Sequence, residues 1–413
     1  MREIYFCFPY RGVGGVSVLF VRVAEYLAAA GLAKCYLIDY SDGYMAMHRD
    51  PSLTELIEYP ESGKVHIPGG ASIIFQSMTP WSIFPNLKVN PKTKVLFWNC
   101  HPLNLIPSLP GLRKLTAGND FLTHITLNTL LLGYKLRVKR FLGYLLEVNA
   151  IVFMDQTNIQ VTSNGLGVRI REPSFLPIPA KAEAHNRVAR KITDASTIIK
   201  FLWVGRIVDF KYYPLKKFLE DLSVIAANGD IKFEVAVVGD GEYLGVLKKD
   251  LKKYQPVSIK FFGHVNTQDL DNFILNNSSI MLGMGTSALE GAKLGVPTLL
   301  FDMSYKDMPV DQKYRWVHET VNYNLGEMAG TKGATAVGSS LKDKIEEFRV
   351  STHEISVSEQ EYFRSNHDIG VVSSALLKYL EKSQCEYGKL EQHNLIAKGF
   401  VFSCFARIRR ILN

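Results

Sequence analysis

The sequence has none of the marks of a disulfide framework or a zinc site. Its five cysteines, Cys7, Cys35, Cys100, Cys385 and Cys404, are odd in number and scattered, and no CxxC pair exists. This usage fits a reducing compartment. No uninterrupted apolar run approaches the roughly 18 to 20 residues of a membrane span. The N-terminus goes straight into an apolar strand without the architecture of a signal peptide. The expected location is therefore cytoplasmic, peripheral on the inner face of the cell membrane. The one pair with DxD spacing, Asp269 and Asp271, falls inside a predicted helix, so no metal site is expected. Nor are the basic residues interleaved with stacking aromatics, which argues against a nucleic-acid partner.

What is present is a basic, well-cored α/β chain. With 413 residues, two domains are the natural expectation, and 47% hydrophobic residues allow both a core. The formal net charge of +8 suits an anionic partner such as a nucleotide or lipid headgroups. Ile4 to Phe8 reads as a strand, followed by a loop with Gly14 and Gly15 and a helix from Val18 to Ala30 that ends at Gly31. The spacing is not the GxGxxG dinucleotide fingerprint. Gly14 and Gly15 still let the backbone approach a phosphate or sugar, and Arg11 and Ser17 flank them. The strand over 94–98 delivers His101 to the C-terminal end of the sheet, where ligands of open α/β sheets bind.

Residues 130–146 repeat apolar side chains at helical spacing (Tyr134, Val138, Phe141, Leu142, Leu145) among Lys135, Arg137, Lys139 and Arg140, with no acid. The tail, 395–413, repeats Val401, Phe405, Ile408 and Leu412 among Lys398, Arg407, Arg409 and Arg410. Each is a basic amphipathic segment suited to an anionic membrane surface, or else a helix that packs on the body.

A second α/β series starts with a strand over 198–204 and the turn Gly205-Arg206, with a helix expected from Pro214. Strand, glycine turn and helix then alternate at short intervals, the pattern of a parallel sheet covered on both faces. The series leads to Leu282–Pro297, LGMGTSALEGAKLGVP. Here Gly283 and Gly285 allow close backbone approach, Thr286 or Ser287 is the expected helix cap, and the helix start favours an anion. Glu290 lies within a turn of that start.

In combination these residues resemble the nucleotide-sugar domain of GT-B glycosyltransferases, family 4 in particular, of the bacterial polysaccharide and O-antigen type. Gly205-Arg206 with Lys211 is similar to the family's phosphate clamp. Gly239-Asp240-Gly241 and Phe261-Phe262-Gly263 resemble its two glycine turns, and Glu290 to Pro297 its Glu-Ala-x-x-x-Gly-x-Pro segment. Gly14-Gly15 is similar to its acceptor-side loop. The resemblance implies two Rossmann-like domains facing across a cleft: an acceptor-side domain over 1–185, a linker over 186–196 and a nucleotide-sugar domain over 197–357. C-terminal helices over 358–413 would pack back on the first domain.

The resemblance also implies a hexosyltransferase that takes a nucleotide sugar as substrate and needs no cofactor and no metal. Its acceptor would be lipid-linked, a polysaccharide or an oligosaccharide. Arg206, Lys211 and His101 would be catalytic. Gly15, Gly205, Gly241, Gly263, Gly285, Thr286, Ser287 and Glu290 would bind the donor, Glu290 through the ribose hydroxyls. Leu282 departs from the pattern: it stands where the family has a first glutamate, which normally touches the donor sugar. That departure keeps open a deoxysugar donor and a catalytically silent nucleotide-sugar-binding or scaffold protein. A nucleotide-sugar epimerase of related fold is the further alternative.

Overall fold

The computed structural model describes residues 2–12, 14–108, 120–181, 198–329 and 338–396. The chain divides into two compact units, Met1–Pro179 with Val372–Asn413, and Ala180–Val371. The expected linker and nearly all of the basic tail lie outside the described residues.

The first unit is built on a six-stranded parallel sheet in the order β3-β2-β1-β5-β7-β8. Its elements run β1 (Glu3–Cys7), α1 (Gly15–Ala29), β2 (Lys34–Asp39), α2 (Tyr44–His48), β3 (Thr54–Glu58), β4 (Val65–Ile67), β5 (Ser72–Gln76), β6 (Leu87–Val89) and β7 (Lys94–Asn99). Then come α3 (Asp120–Asn128), α4 (Leu132–Glu147), β8 (Ile151–Phe153) and α5 (Gln156–Leu166). Strands buried on both faces read as near-continuous apolar runs. Alternation sends Tyr5, Ile73, Phe75 and Phe97 to one core and Ile4, Phe6, Ile74 and Trp98 to the other. Gly31, at φ 67°, supplies the left-handed residue just past α1.

The second unit repeats the design in the order β11-β10-β9-β12-β13-β14, parallel except for the last strand. It runs β9 (Ile198–Val204), α6 (Asp209–Ala227), β10 (Lys232–Val238), α7 (Leu244–Lys249), β11 (Ser258–Gly263), α8 (Thr267–Asn277), β12 (Ile280–Gly283), α9 (Thr286–Lys293), β13 (Thr298–Leu300), β14 (Arg315–Trp316) and α10 (Leu341–Asn366). The short antiparallel β14 is pinned by a buried ion pair. Arg315 reaches the Asp302 carboxylate just beyond β13 with two bonds, of 3.1 and 2.7 Å. Helices α11 (Ile369–Lys382) and α12 (Tyr387–Gln392) end the described chain.

Helix α4 shows where the apolar stripe expected over 130–146 goes. Val138, Phe141, Leu142 and Leu145 are buried in the sheet core, and Lys135 with them. Lys135 donates to Asn128 Oδ1 at 2.8 Å, Lys139 to the Gly167 carbonyl at 3.2 Å and Arg140 to the His393 carbonyl at 3.1 Å. The apolar stripe that the periodicity marks is therefore a core face and cannot enter a membrane. No helix among the described residues is long and apolar enough to cross one.

Candidate functional site

The strand order points to the site. In the second unit the chain runs outward from β9 through β10 to β11, returns to β12 beside β9, and leaves on the other side through β13. Successive connections part at β9 and β12, and open α/β sheets bind ligands at the C-terminal ends of such a strand pair. The loops that leave those ends are Gly205–Val208 and Met284–Gly285.

The first loop is held by backbone contacts that only glycine permits. Gly239 and Gly241 have φ of 126° and 149°. A Cβ on Gly239 would collide with the Gly205 carbonyl, and one on Gly241 with the Ile207 carbonyl. Gly205 N donates to Val238 O at 3.0 Å, Ile207 N to Asp240 O at 2.8 Å and Gly239 N to Gly263 O at 2.7 Å. Gly239 and Gly241 thus lock strand-end turns together, whereas a Cβ on Gly263, at φ 65°, would meet open space.

Helix α6 begins at Asp209, earlier than the Pro214 expected from sequence, which puts Lys211 in its first turn. Pro214 has no N–H to give the carbonyl four residues back. That carbonyl, on Phe210, accepts instead from Ser304 N at 3.0 Å, and this ties the turn to the loop after β13. Lys211 Nζ lies 3.3 Å from where a Cβ on Gly205 would sit, and Ser287 Oγ lies 3.9 Å from the same point. Gly205, Lys211 and Ser287 are therefore together.

Lys211 is held against its electrostatics. Burial, and after it the nearby Arg206 guanidinium, push its ammonium below the usual lysine value. The positive end of a helix disfavours a cation in the first turn. Neither the Lys211 ammonium nor the exposed Arg206 guanidinium has a hydrogen-bond or ion-pair partner among the described residues. Two adjacent cations without counter-charge form an anion site.

The second loop completes the site. The helix cap is Gly285, at φ 58°, with no side-chain capping bond, so neither Thr286 nor Ser287 caps α9 as expected. The Ser287 hydroxyl turns back to its own loop, donating to Met284 O at 2.9 Å. Thr286 is exposed. The first N–H groups of α9 precede its hydrogen-bonded turns and remain for a ligand.

Glu290 follows one turn on. Its Oε2 lies 2.6 Å from Lys293 Nζ, and the same ammonium lies 2.8 Å from Asp271 of α8. Burial opposes the charge on Lys293, but Glu290 and Asp271 outweigh it and the net shift is upward. Lys293 thereby fixes one Glu290 oxygen and leaves Oε1 unbonded among the described residues. Lys293 is not among the residues expected from the sequence, although its spacing of three from Glu290 is visible there. Asp271, the second half of the DxD spacing, is spent on this contact. No cluster of metal-ligating side chains occurs among the described residues.

Leu282 is fully buried. It sits within β12, paired with Trp203 and Leu299, in the core with Phe201 and Phe301. The residue standing where the family's first glutamate would be is thus an interior strand residue.

His101 and Gly15 belong to the first unit. His101 is exposed after β7, and its Nδ1 accepts from Leu103 N at 3.2 Å, which leaves Nε2 as the ring's N–H. Gly14 caps α1, and a Cβ on Gly15 would meet open space. Arg11 is committed elsewhere: it pairs with Asp42 at 2.9 Å and with Glu61, and lies over the Tyr40 ring. It is thus not an unpaired cation for a phosphate. The strand order of this unit parts between β1 and β5. Near those ends the buried hydroxyls of Ser17 and Ser77 have no partner among the described residues.

No protein-family model matches the sequence, and no curated protein does. In three dimensions the chain is similar to solved glycosyltransferases. One is from Rickettsia africae ESF-5, at 15% identity and TM-score 0.55, covering 93% of this chain and 99% of that one. Another is the lipopolysaccharide outer core galactosyltransferase WaaB, at 11% identity and TM-score 0.52, covering 92% and 99%. A third is Anabaena Alr3699/HepE in complex with UDP-glucose, at 11% identity and TM-score 0.51, covering 92% and 100%. The likeness defines the fold: two Rossmann-like units of the GT-B type.

Proposed function

We propose that this protein is a glycosyltransferase. It moves a sugar from a nucleotide-sugar donor to a lipid-linked or polysaccharide acceptor at the cytosolic face of a membrane. The observation that carries the reading is the Arg206–Lys211 pair, two cations with no counter-charge among the described residues, beside the start of α9 at the point where the strand order parts. A diphosphate supplies what that pair lacks. The neighbour solved with UDP-glucose supports the donor class, and WaaB supports the kind of acceptor.

The mechanism follows from charge. As the bond between sugar and diphosphate breaks, negative charge grows on the departing phosphate oxygen. Arg206 grips two phosphate oxygens at once, Lys211 adds a point charge, and the α9 N–H groups contribute dipoles. These groups are in place before the reaction, so they stabilise the leaving group without reorganising and take the role a metal has elsewhere. Glu290 Oε1 accepts from the ribose hydroxyls while Lys293 holds Oε2. His101 Nε2 and the Gly14–Gly15 loop belong to the acceptor's unit.

Sugar-nucleotide turnover with acceptor lipid tests this. Arg206→Ala and Lys211→Ala should each lower kcat by roughly 10²–10³. Wild-type turnover in both would overturn the assignment. Turnover that leaves an isomerised nucleotide sugar, with no sugar on the acceptor, would favour an epimerase.

A further inference from the structure

The basic segment over 130–146 buries the stripe its periodicity marks, but it leaves a different apolar set in solvent. Ile125, in the last turn of α3, is 41% exposed, Leu130 66%, Leu132 42% and Leu136 54%. These residues surround one corner. Leu131 N donates to Thr126 O at 3.0 Å and Leu132 N to Thr129 O at 3.3 Å, so the chain turns tightly from α3 into α4, and the two helices pack on each other. Leu127 and Leu131, on the inner side of the same corner, are 4% and 2% exposed. The corner therefore has an inner apolar side that is buried and an outer one that is exposed among the described residues.

Charge says what the outer side fits. Leu132, Leu136 and Arg140 recur every four residues, so the exposed leucines run along one helix face into an exposed guanidinium. No acid occurs from Leu130 to Leu146. Lys135, Lys139 and Arg140 donate to an amide oxygen and two carbonyls, so their positive charge meets no carboxylate among the described residues. An apolar tip backed by cations matches the boundary of an anionic bilayer, where acyl chains lie just beneath phosphate. A helix-binding protein would need a groove, and these side chains lie on the outer side of a tight turn between two helices.

We propose that the α3–α4 corner docks the protein on an anionic lipid surface, with Leu130, Leu132 and Leu136 entering the headgroup–acyl boundary and Lys139 and Arg140 at the phosphates. This deepens the proposed function, on which it rests for its purpose, by naming the surface that would bring the first unit to a lipid-linked acceptor.

The full chain is sedimented with vesicles containing about one-third phosphatidylglycerol in phosphatidylcholine, and with phosphatidylcholine alone, at low salt. The variants are Leu132→Ser with Leu136→Ser, and Arg140→Glu, each checked for an unchanged melting temperature. Wild type should bind the anionic vesicles and bind the neutral ones weakly. The double serine variant should lose roughly ten-fold or more of that partitioning. Arg140→Glu should weaken binding to the anionic vesicles selectively. The proposal is overturned if the double variant partitions like wild type, which would place any anchor elsewhere, or if wild type binds neither vesicle. A wild-type dimer in solution that the double variant dissolves, with no vesicle binding, would overturn it in favour of a second copy. Turnover on a soluble acceptor reads the proposed function separately: its absence, with vesicle binding intact, would sink that reading and leave this one standing.

Discussion

Lys211 stands where a folded protein has least use for a cation. It is partly buried, in the first turn of α6, beside Arg206 and without a carboxylate among the described residues. Such a residue costs stability in the empty protein and is repaid by its ligand. Lys211→Met should therefore abolish donor binding and raise the melting temperature of the ligand-free protein. A charge at a helix end is worth about 1 kcal/mol, or roughly 2–4 °C for a unit of this size. The pH dependence carries a sign. The folded-state pKa is depressed, so the unfolded chain binds more protons in the window between the two values, and stability rises with pH across it. The stability that Lys211 contributes is present above the ordinary lysine value and lost as pH falls through the folded one. Thermal melts in alkaline buffers should show this slope in wild type and not in Lys211→Met. A methionine variant that melts lower than wild type at neutral pH would contradict the account.

At the scale of elements, the two kinds of glycine in the second unit should respond differently. Gly241 is required by its own backbone, since a Cβ there runs into the Ile207 carbonyl. Gly241→Ala should displace the Arg206 turn and unfold the edge of the sheet, seen as a large drop in melting temperature. Gly285 has open space around it and φ 58°, so Gly285→Ala costs backbone strain alone, about 1–3 kcal/mol. It should fold and bind the donor less well. Equal losses in the two variants would mean that Gly285 is also packed against something.

The same elements show what the sequence could and could not reveal. The strands and the glycine turns were legible because periodicity and Gly-x-Gly spacing are local signals. The start of α6 was not. Pro214 marked the expected start, and the helix runs through it because Ser304, ninety residues away, takes the carbonyl that the proline frees. The cap of α9 differs from the expected one for a similar reason. Ser287 has the right chemistry, but its hydroxyl goes to Met284, and Gly285 holds the cap position. In α4 the spacing showed an amphipathic helix, yet spacing alone cannot say which face meets the sheet. The face that meets the sheet carries Val138, Phe141, Leu142 and Leu145, with Phe141 edge-on to Phe97 at 5.2 Å.

For the whole molecule, the two units repeat one design and each parts its strand order once, between β1 and β5 and between β9 and β12. The cation pair lies at only one of these points, in the second unit. Asymmetry on a repeated scaffold suits the proposed reaction, in which the donor's diphosphate binds to one unit. The similarity to Alr3699/HepE and WaaB is a similarity of fold, so the chemistry has to be tested on this chain's own residues. The most direct measurement is a calorimetric titration of UDP-glucose, UDP and uridine into wild type and into the Arg206→Ala, Lys211→Ala double variant. The account predicts that wild type binds the two diphosphates and holds uridine far more weakly, and that the double variant loses the difference between UDP and uridine. Equal binding of UDP by both proteins would contradict it.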